Sequence, residues 1–367
     1  MAGADLIDRI RKMEVKAYPI ALPAEEQDGT LSWNKTTLVL VQIHSAGHCG
    51  IGYTYANSAT ATLIHEELIP VITGQSAFDI PNIGGLMVQA IRNWGRPGVA
   101  SMAISAVDTA LWDLKAKILG ISILDLLGGF REEVPVYGSG GFTNLSEKQL
   151  TEQITGWLEL GISKFKIKIG RDRKRDLERV KKVRELIGIS RELFVDANGA
   201  YQVKQALEMS GRLKEFDVRW FEEPVSSDCL EGLRYIRERL DPEMELSAGE
   251  YGYRLKDFKD IFEAQAVDVL QADLTRCGGY SGFVRVAALA RAWMHPLSSH
   301  CAPTLHASLG CALSEVRHLE YFSDHVRIEQ NFFDGAPLVK NGAIKVDRSR
   351  PGIGITAKLK DLEKLAA

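Results

Sequence analysis

Lys168, Asp196, Glu222, Glu250, Asp273, His300 and Glu320 recur through the second half of this 367-residue chain with gaps of 28, 26, 28, 23, 27 and 20 residues. Each is of a type that ionises, transfers a proton or ligates a metal. One strand, one helix and two short loops consume roughly 25–30 residues, the size of one βα unit. A polar residue at the end of each strand, once per unit, gathers one site at the mouth of a parallel barrel.

The chemistry open to these residues follows from their types. In KFKIKIG, side-chain alternation puts Lys164, Lys166 and Lys168 on one face of a strand and Phe165, Ile167 and Ile169 on the other. Crowded ammonium groups lower one another's pKa, and Lys168, nearest the strand end, is the candidate base. Asp196, Glu222 and Glu250 close three successive strand segments, in DANG, FEEP and SAGE. Three carboxylates converging on one point need a counter-charge, and a hard divalent cation with oxygen ligands, Mg²⁺ by preference, supplies it. Glu223 is expected to point away from Glu222 by strand alternation and to hold structure. Asp273 and His300 come one strand apart, where a carboxylate would fix the imidazole tautomer and raise its pKa. Glu320 is open to two roles, a protonated donor to a developing oxyanion or a buried salt-bridge partner. His44, His65, His295 and His318 read as core histidines.

These residues need a scaffold, and the chain supplies one. VPVYGSGG, KFKIKIG, LFVDANG, RWFEEP, ELSAGE, VDVLQADL, MHPLSSH and RHLEYF are eight strand candidates with helical stretches between them, giving a (β/α)₈, TIM-like barrel. Ser146 with Gln149 opens one helix as a capping box. In the helix after KFKIKIG, Leu177, Val180, Val183 and Leu186 form the apolar stripe. Before the barrel, MEVKAYPIAL and TTLVLVQIHS read as strands joined by a polar loop at 23–35, and 44–57 as a second loop rich in hydroxyls. The segment 58–120 reads as helical, ending in a run with Met102, Ala106, Ala110 and Leu114 on one face and Gly120 as its stop. The expected organisation is an α+β capping domain over residues 1–130, a barrel over 131–340 and a tail, 341–367, that returns to the cap.

Composition narrows the class of function. Apolar residues make up 45% and charged residues 25%, as in a soluble globular protein with a full core. The net charge of −3 comes from 45 basic and 48 acidic residues that are interspersed, so nothing marks a nucleic-acid or membrane partner. The five cysteines, Cys49, Cys229, Cys277, Cys301 and Cys311, lack CxxC spacing and fit a reducing, cytoplasmic setting. Asp5, Asp8, Arg9, Arg11 and Lys12 leave no apolar signal-peptide region at the start of the chain.

The KxK pair Lys166 and Lys168, the acids Asp196, Glu222 and Glu250, the Asp273/His300 dyad and the final Glu320 together resemble the enolase superfamily, in its mandelate racemase subgroup. The segment 101–129, with its LLGG junction, resembles that subgroup's capping helix. The resemblance implies Mg²⁺-assisted removal of the proton α to a carboxylate, giving an enediolate, with Lys168 and His300 facing the carbon from opposite sides. It also implies a homo-oligomer, with an octamer as one expected form. Two outcomes follow from two acid/base groups: dehydration of a sugar acid, or racemisation or epimerisation of a 2-hydroxy acid. A first loop containing Glu25, Glu26, Gln27, Asp28, Thr30, Ser32 and Trp33 is polar, which favours the acid-sugar dehydratase. Trp33, Tyr137, Asn198, Trp220, Arg276 and His306 are the expected substrate contacts, by position near strand ends or in the cap loop.

Overall fold

The computed structural model describes residues 8–365. Asp5 and the outermost residues of the expected capping span therefore lie outside the described residues. Strands β1 (Lys12–Gln27), β2 (Ser32–Ser45) and β3 (His48–Tyr55) form an antiparallel sheet in that order. The two expected loops are mostly strand. β1 and β2 stay paired out to Gln27 and Ser32, with an irregularity between Ala21 and Glu26, and 48–55 is β3. A two-stranded ribbon beyond the sheet needs no apolar alternation, which is why its polar residues read as loop. In β3 the strand pattern is masked by Gly50 and Gly52, whose Cβ atoms would lie 2.3 Å from the Ala110 carbonyl oxygen and 2.2 Å from that of Ala106. Glycine there lets a helix backbone lie against the sheet.

That helix is α4 (Val99–Leu119), preceded by α1 (Ala59–Leu63), a π turn, α2 (Ile69–Ile72) and α3 (Ile80–Ala90), and followed by α5 (Ile123–Leu127). Gly120, left-handed at φ 70°, ends α4. The two faces of β2 enter different cores: Val39, Val41 and Ile43 pack with the cap helices, while Leu38 and Leu40 join the core that continues into the barrel. Burial of both faces fastens the cap to the barrel.

The barrel alternates eight parallel strands, β4 (Glu133–Gly140), β5 (Lys164–Lys168), β6 (Glu192–Asp196), β7 (Val218–Glu222), β8 (Glu245–Ala248), β9 (Val269–Ala272), β10 (Leu297–Ser299) and β11 (Leu319–Phe322), with eight helices. These are α6 (Glu147–Glu159), α7 (Arg173–Ile187), α8 (Val203–Leu213), α9 (Leu230–Arg237), α10 (Leu255–Glu263), α11 (Gly279–Ala292), α12 (Pro303–Ala312) and α13 (Ser323–Phe332). Neighbours pair in sequence from β4 to β10, β11 pairs with β4, and a Leu297–Val316 bridge joins β10 to the segment leading into β11. The Ser146/Gln149 capping box is present, and in α7 the fully buried stripe is Val180, Val183 and Ile187, with Leu177 and Leu186 partly buried. Residues Ala343–Lys345 pair with β4, after which the tail reaches the cap: Ile353 N–H donates to Asp113 at 2.7 Å, and Glu363 accepts from Tyr18. No helix among the described residues is long and apolar enough to cross a membrane. All five cysteines are free thiols.

Asp108 ties α4 to the start of α11, accepting the Ser281 N–H at 3.0 Å. Burial pushes its carboxyl from 3.8 up to about 7, against the opposing hydrogen bonds from Ser281. Between these values the folded chain binds a proton that the unfolded chain has released, so the contribution of Asp108 to stability is fully present below pH 4 and is lost as the pH rises through 7. The expected loss is on the order of 4 kcal/mol. Asp108→Asn should flatten this part of the profile, which denaturant melts at pH 5 and pH 8 would measure.

Candidate active site

The stride of ionisable residues maps onto the strand ends. Lys168, Asp196 and Glu222 are the last residues of β5, β6 and β7 and stand level, Lys168 opposite Asp196 and Asp196 opposite Glu222. Glu250 follows β8 by two residues, Asp273 and His300 directly follow β9 and β10, and Glu320 is the second residue of β11. All seven are buried, with Lys166 beneath them.

Contacts among these groups are short. Lys166 Nζ lies 2.5 Å from Glu222 Oε1, 2.7 Å from Glu320 Oε1 and 3.8 Å from Asp196 Oδ2; Lys168 Nζ lies 2.5 Å from Asp196 Oδ2. Asp196 Oδ1 accepts the Asn198 N–H at 2.8 Å, and Glu222 Oε2 accepts from Trp220 Nε1 at 2.9 Å. On the other side, His300 Nδ1 meets Asp273 Oδ2 at 2.8 Å, and Asp273 Oδ1 accepts from both the backbone and the hydroxyl of Thr275. His300 Nε2 stands 3.3 Å from Glu250 Oε2.

The charges couple strongly. Against burial, Lys168 and Lys166 hold Asp196 below the ordinary carboxylate range, while burial and the Asp196 charge push Glu222 up to about 8. Against burial, Glu250 and Asp273 raise the His300 pKa, so the imidazolium persists above the usual histidine range. Lys168 differs from the expected neutral base. Burial and Lys166 depress it, but Asp196 in direct contact outweighs both and holds it protonated. Glu320 resolves to the salt-bridge arrangement, since Lys166 and His300 hold it ionised against burial. Its Oε1 accepts from Ser139 and Lys166 and its Oε2 from the Cys301 N–H.

One ligand atom from each of Asp196, Glu222 and Glu250 can be chosen so that all three lie within 4.8 Å of one another. With Glu223, Asp273 and Glu320 there are six buried carboxyl groups around Lys166, Lys168, Arg276 and His300, and burial with mutual repulsion pushes Glu222 and Glu223 toward the neutral form, so all six ionise together only with a further cation. Glu223 Oε1 has no hydrogen-bond donor, and Glu250 Oε2 makes no hydrogen bond and is met only by the ion pair with His300. A hard divalent cation fits this donor set. Glu223 does not follow the expected alternation: its φ of 37° breaks the extended strand, and it is buried within electrostatic reach of Glu250, Asp196 and Glu222.

A cavity of about 420 Å³ opens above these groups, bounded by Lys168, His300, Glu250 and Glu320 from the barrel and by Trp33, Lys35, Thr36 and Tyr55 from the cap. A larger cleft of about 700 Å³ adjoins it, sharing Asn198 and Tyr251, but it holds neither Lys168 nor His300. Chemistry follows the ionisable groups, so the smaller cavity is the candidate site.

Three of the six expected substrate contacts line it: Trp33, Asn198 and Arg276. Trp33 Nε1 donates to Glu26 at 3.1 Å, and Arg276 NH1 donates to the Glu250 carbonyl at 3.0 Å. The other three are corrected by their burial. Tyr137 and Trp220 have no exposed surface and pack with Phe194 and Val269 as the filling of the barrel. His306 has none either; its Nε2 accepts the Leu274 N–H, and its Nδ1 faces the Cys301 and Ala302 carbonyls. Of the four histidines expected in the core, only His318 is fully buried, and His65 is exposed. Sequence reading missed Lys35, Tyr55, Asp324 and His325, which also line the cavity. For Asp324 and His325 the available signal was their place just after a barrel strand.

Two family models cover most of the chain: the mandelate racemase/muconate lactonizing enzyme N-terminal domain over residues 12–128, and an enolase C-terminal domain-like model over 149–362. The 3,6-anhydro-alpha-L-galactonate cycloisomerase of Streptomyces coelicolor is 34% identical over 98% of this chain and 99% of its own length. A mandelate racemase/muconate lactonizing enzyme-like protein from Rubrobacter xylanophilus is 46% identical and superposes with a TM-score of 0.95, covering 97% of this chain and 99% of that one. The L-talarate/galactarate dehydratase of Salmonella typhimurium LT2, liganded with Mg and L-lyxarohydroxamate, superposes with a TM-score of 0.90 at 27% identity, covering 100% and 94%.

Proposed function

The chain belongs to the mandelate racemase/muconate lactonizing enzyme family of the enolase superfamily, and on that footing we propose that it is a Mg²⁺-dependent dehydratase of a sugar acid. Within this proposal residues 1–130, with the tail 341–367, form the cap, and residues 131–340 carry the catalytic groups. The observation that carries the reading is that Lys168 and His300 line one cavity from strands separated by β4 and β11, with Asp196, Glu222 and Glu250 clustered between them.

Asp196, Glu222 and Glu250 would hold the Mg²⁺, which when bound offsets the second negative charge that develops on the substrate carboxylate. Lys166, kept charged between Glu222 and Glu320, orients that carboxylate. With Asp196 committed to the cation its hold on the Lys168 proton would weaken, and Lys168 Nζ, once it has released that proton, would take the α-proton. Asp273 holds His300 at Nδ1 and leaves Nε2 to give its proton to the departing β-hydroxyl as water forms. The product is a 2-keto acid. Lys35, Thr36 and Asn57 give the cap side of the cavity a polar lining, which suits a polyhydroxylated chain.

A panel of mono- and dicarboxylic sugar acids, assayed with Mg²⁺ for 2-keto product and followed by polarimetry, tests the reading. Formation of 2-keto acid from at least one member is expected. Change of optical rotation without 2-keto product would assign racemisation or epimerisation instead.

A further inference from the structure

His325 opens a question that the acid/base chemistry leaves untouched. It sits near the start of α13, is 8% exposed and lines the cavity. The Ala302 N–H donates to its Nδ1 at 3.2 Å. A backbone N–H cannot accept, so Nδ1 carries no proton and the neutral ring holds its proton on Nε2. Burial, which pushes its pKa down to about 4, keeps the ring neutral against the pull of Asp324 and Asp273. Nε2 has no partner among the described residues.

The ring is also held in place. Tyr55 stacks on it with centroids 3.5 Å apart and planes 19° from parallel, and Phe322 meets it edge-on at 5.1 Å. Tyr55 is itself anchored, its hydroxyl donating to Glu329 Oε1 at 3.4 Å beside that of Tyr53 at 2.8 Å, while Glu329 Oε2 accepts the Thr304 N–H. The cap strand β3 therefore clamps a barrel histidine whose donor is left to the cavity.

We infer that His325 is a specificity-determining residue, a fixed donor whose Nε2–H reads an acceptor oxygen on the substrate chain away from the reacting carbon. The inference rests on the sugar-acid reading above. A buried donor with no protein acceptor favours a substrate that supplies an oxygen and disfavours one that lacks it.

Two measurements decide it. In ¹⁵N-histidine-labelled enzyme, with His325 assigned by its loss in His325→Phe, the resonances should report the Nε2–H tautomer; an Nδ1–H tautomer would overturn the inference. Steady-state kinetics of wild type, His325→Phe and His325→Gln would then be compared on the sugar acid turned over and on its deoxy analogues, each lacking one hydroxyl. We expect His325→Phe to lower kcat/KM for the full substrate by about 10–100-fold, to leave one deoxy analogue unaffected, and to be partly rescued by glutamine. Equal losses on every analogue would mean that His325 only anchors the turn at Ala302, and the inference would fall. A panel with no turnover would remove the sugar-acid reading and this inference with it, whereas an Nδ1–H tautomer or equal losses on every analogue, with turnover intact, would remove this inference alone.

Discussion

Lys168→Ala should lower turnover by about four orders of magnitude, and His300→Asn by a similar factor, because each removes a group that moves a proton at the reacting carbon or its neighbour. The two losses should nevertheless differ in kind. With Lys168 as base, His300→Asn still removes the α-proton, so solvent deuterium should enter recovered substrate although no water is lost. Lys168→Ala should show neither exchange nor elimination. The asymmetry separates proton abstraction from leaving-group assistance, which a comparison of kcat alone would not do. Both variants should fold, since each removes one member of a cluster that retains other partners: Asp196 keeps the Asn198 N–H and Lys166, and Asp273 keeps Thr275. If both variants retain full turnover, the assigned roles are wrong.

Removal of divalent cations should abolish turnover, and added Mg²⁺ should restore it. The physical ground is the carboxylate cradle, six buried acids against Lys166, Lys168, Arg276 and His300, in which Glu222 and Glu223 are pushed toward the neutral form unless a further cation lets them ionise. A cation that binds only the folded chain also stabilises it, by about 2.7 kcal/mol at a hundred times its dissociation constant. Thermal melts should therefore rise with Mg²⁺ in the wild type. In Glu250→Gln, which keeps the shape but removes one ligand charge, the rise should shrink or vanish together with activity. An enzyme that used Lys168 as a Schiff-base nucleophile would behave differently, working in chelator and yielding a trapped adduct on borohydride reduction.

The parts of this protein that were legible in the sequence are those where a local period and a chemical type coincide. Lys168, Asp196, Glu222, Asp273 and His300 stand at or just beyond strand ends because the βα unit has a nearly constant length. Their convergence then follows from barrel closure. Trp220 lies two residues before Glu222 and Tyr137 lies on the strand beside Glu320, both near strand ends, so spacing could not separate barrel filling from cavity lining. Only the stacking of Phe194 on Trp220, with Tyr137 alongside, shows which layer they occupy. The Lys168 pKa was misjudged because KxK displays the repelling neighbour, whereas Asp196, which outweighs it, is 28 residues away in the chain. β3 was hidden by Gly50 and Gly52, and with it Tyr55, the residue that holds His325. Pairings such as Tyr55 with His325 join the two ends of the chain and leave no local trace.

The central claim is that this cavity removes a proton α to a carboxylate with the help of a divalent cation. Proton NMR of the sugar-acid panel with the enzyme in D₂O, run in parallel with Mg²⁺ and with chelator, addresses it most directly. The account predicts that, for at least one acid, the α-proton signal is lost as a 2-keto product appears, and that both changes stop in chelator. Turnover that continues unchanged in chelator, or loss of water with the α-proton retained in the product, would contradict it.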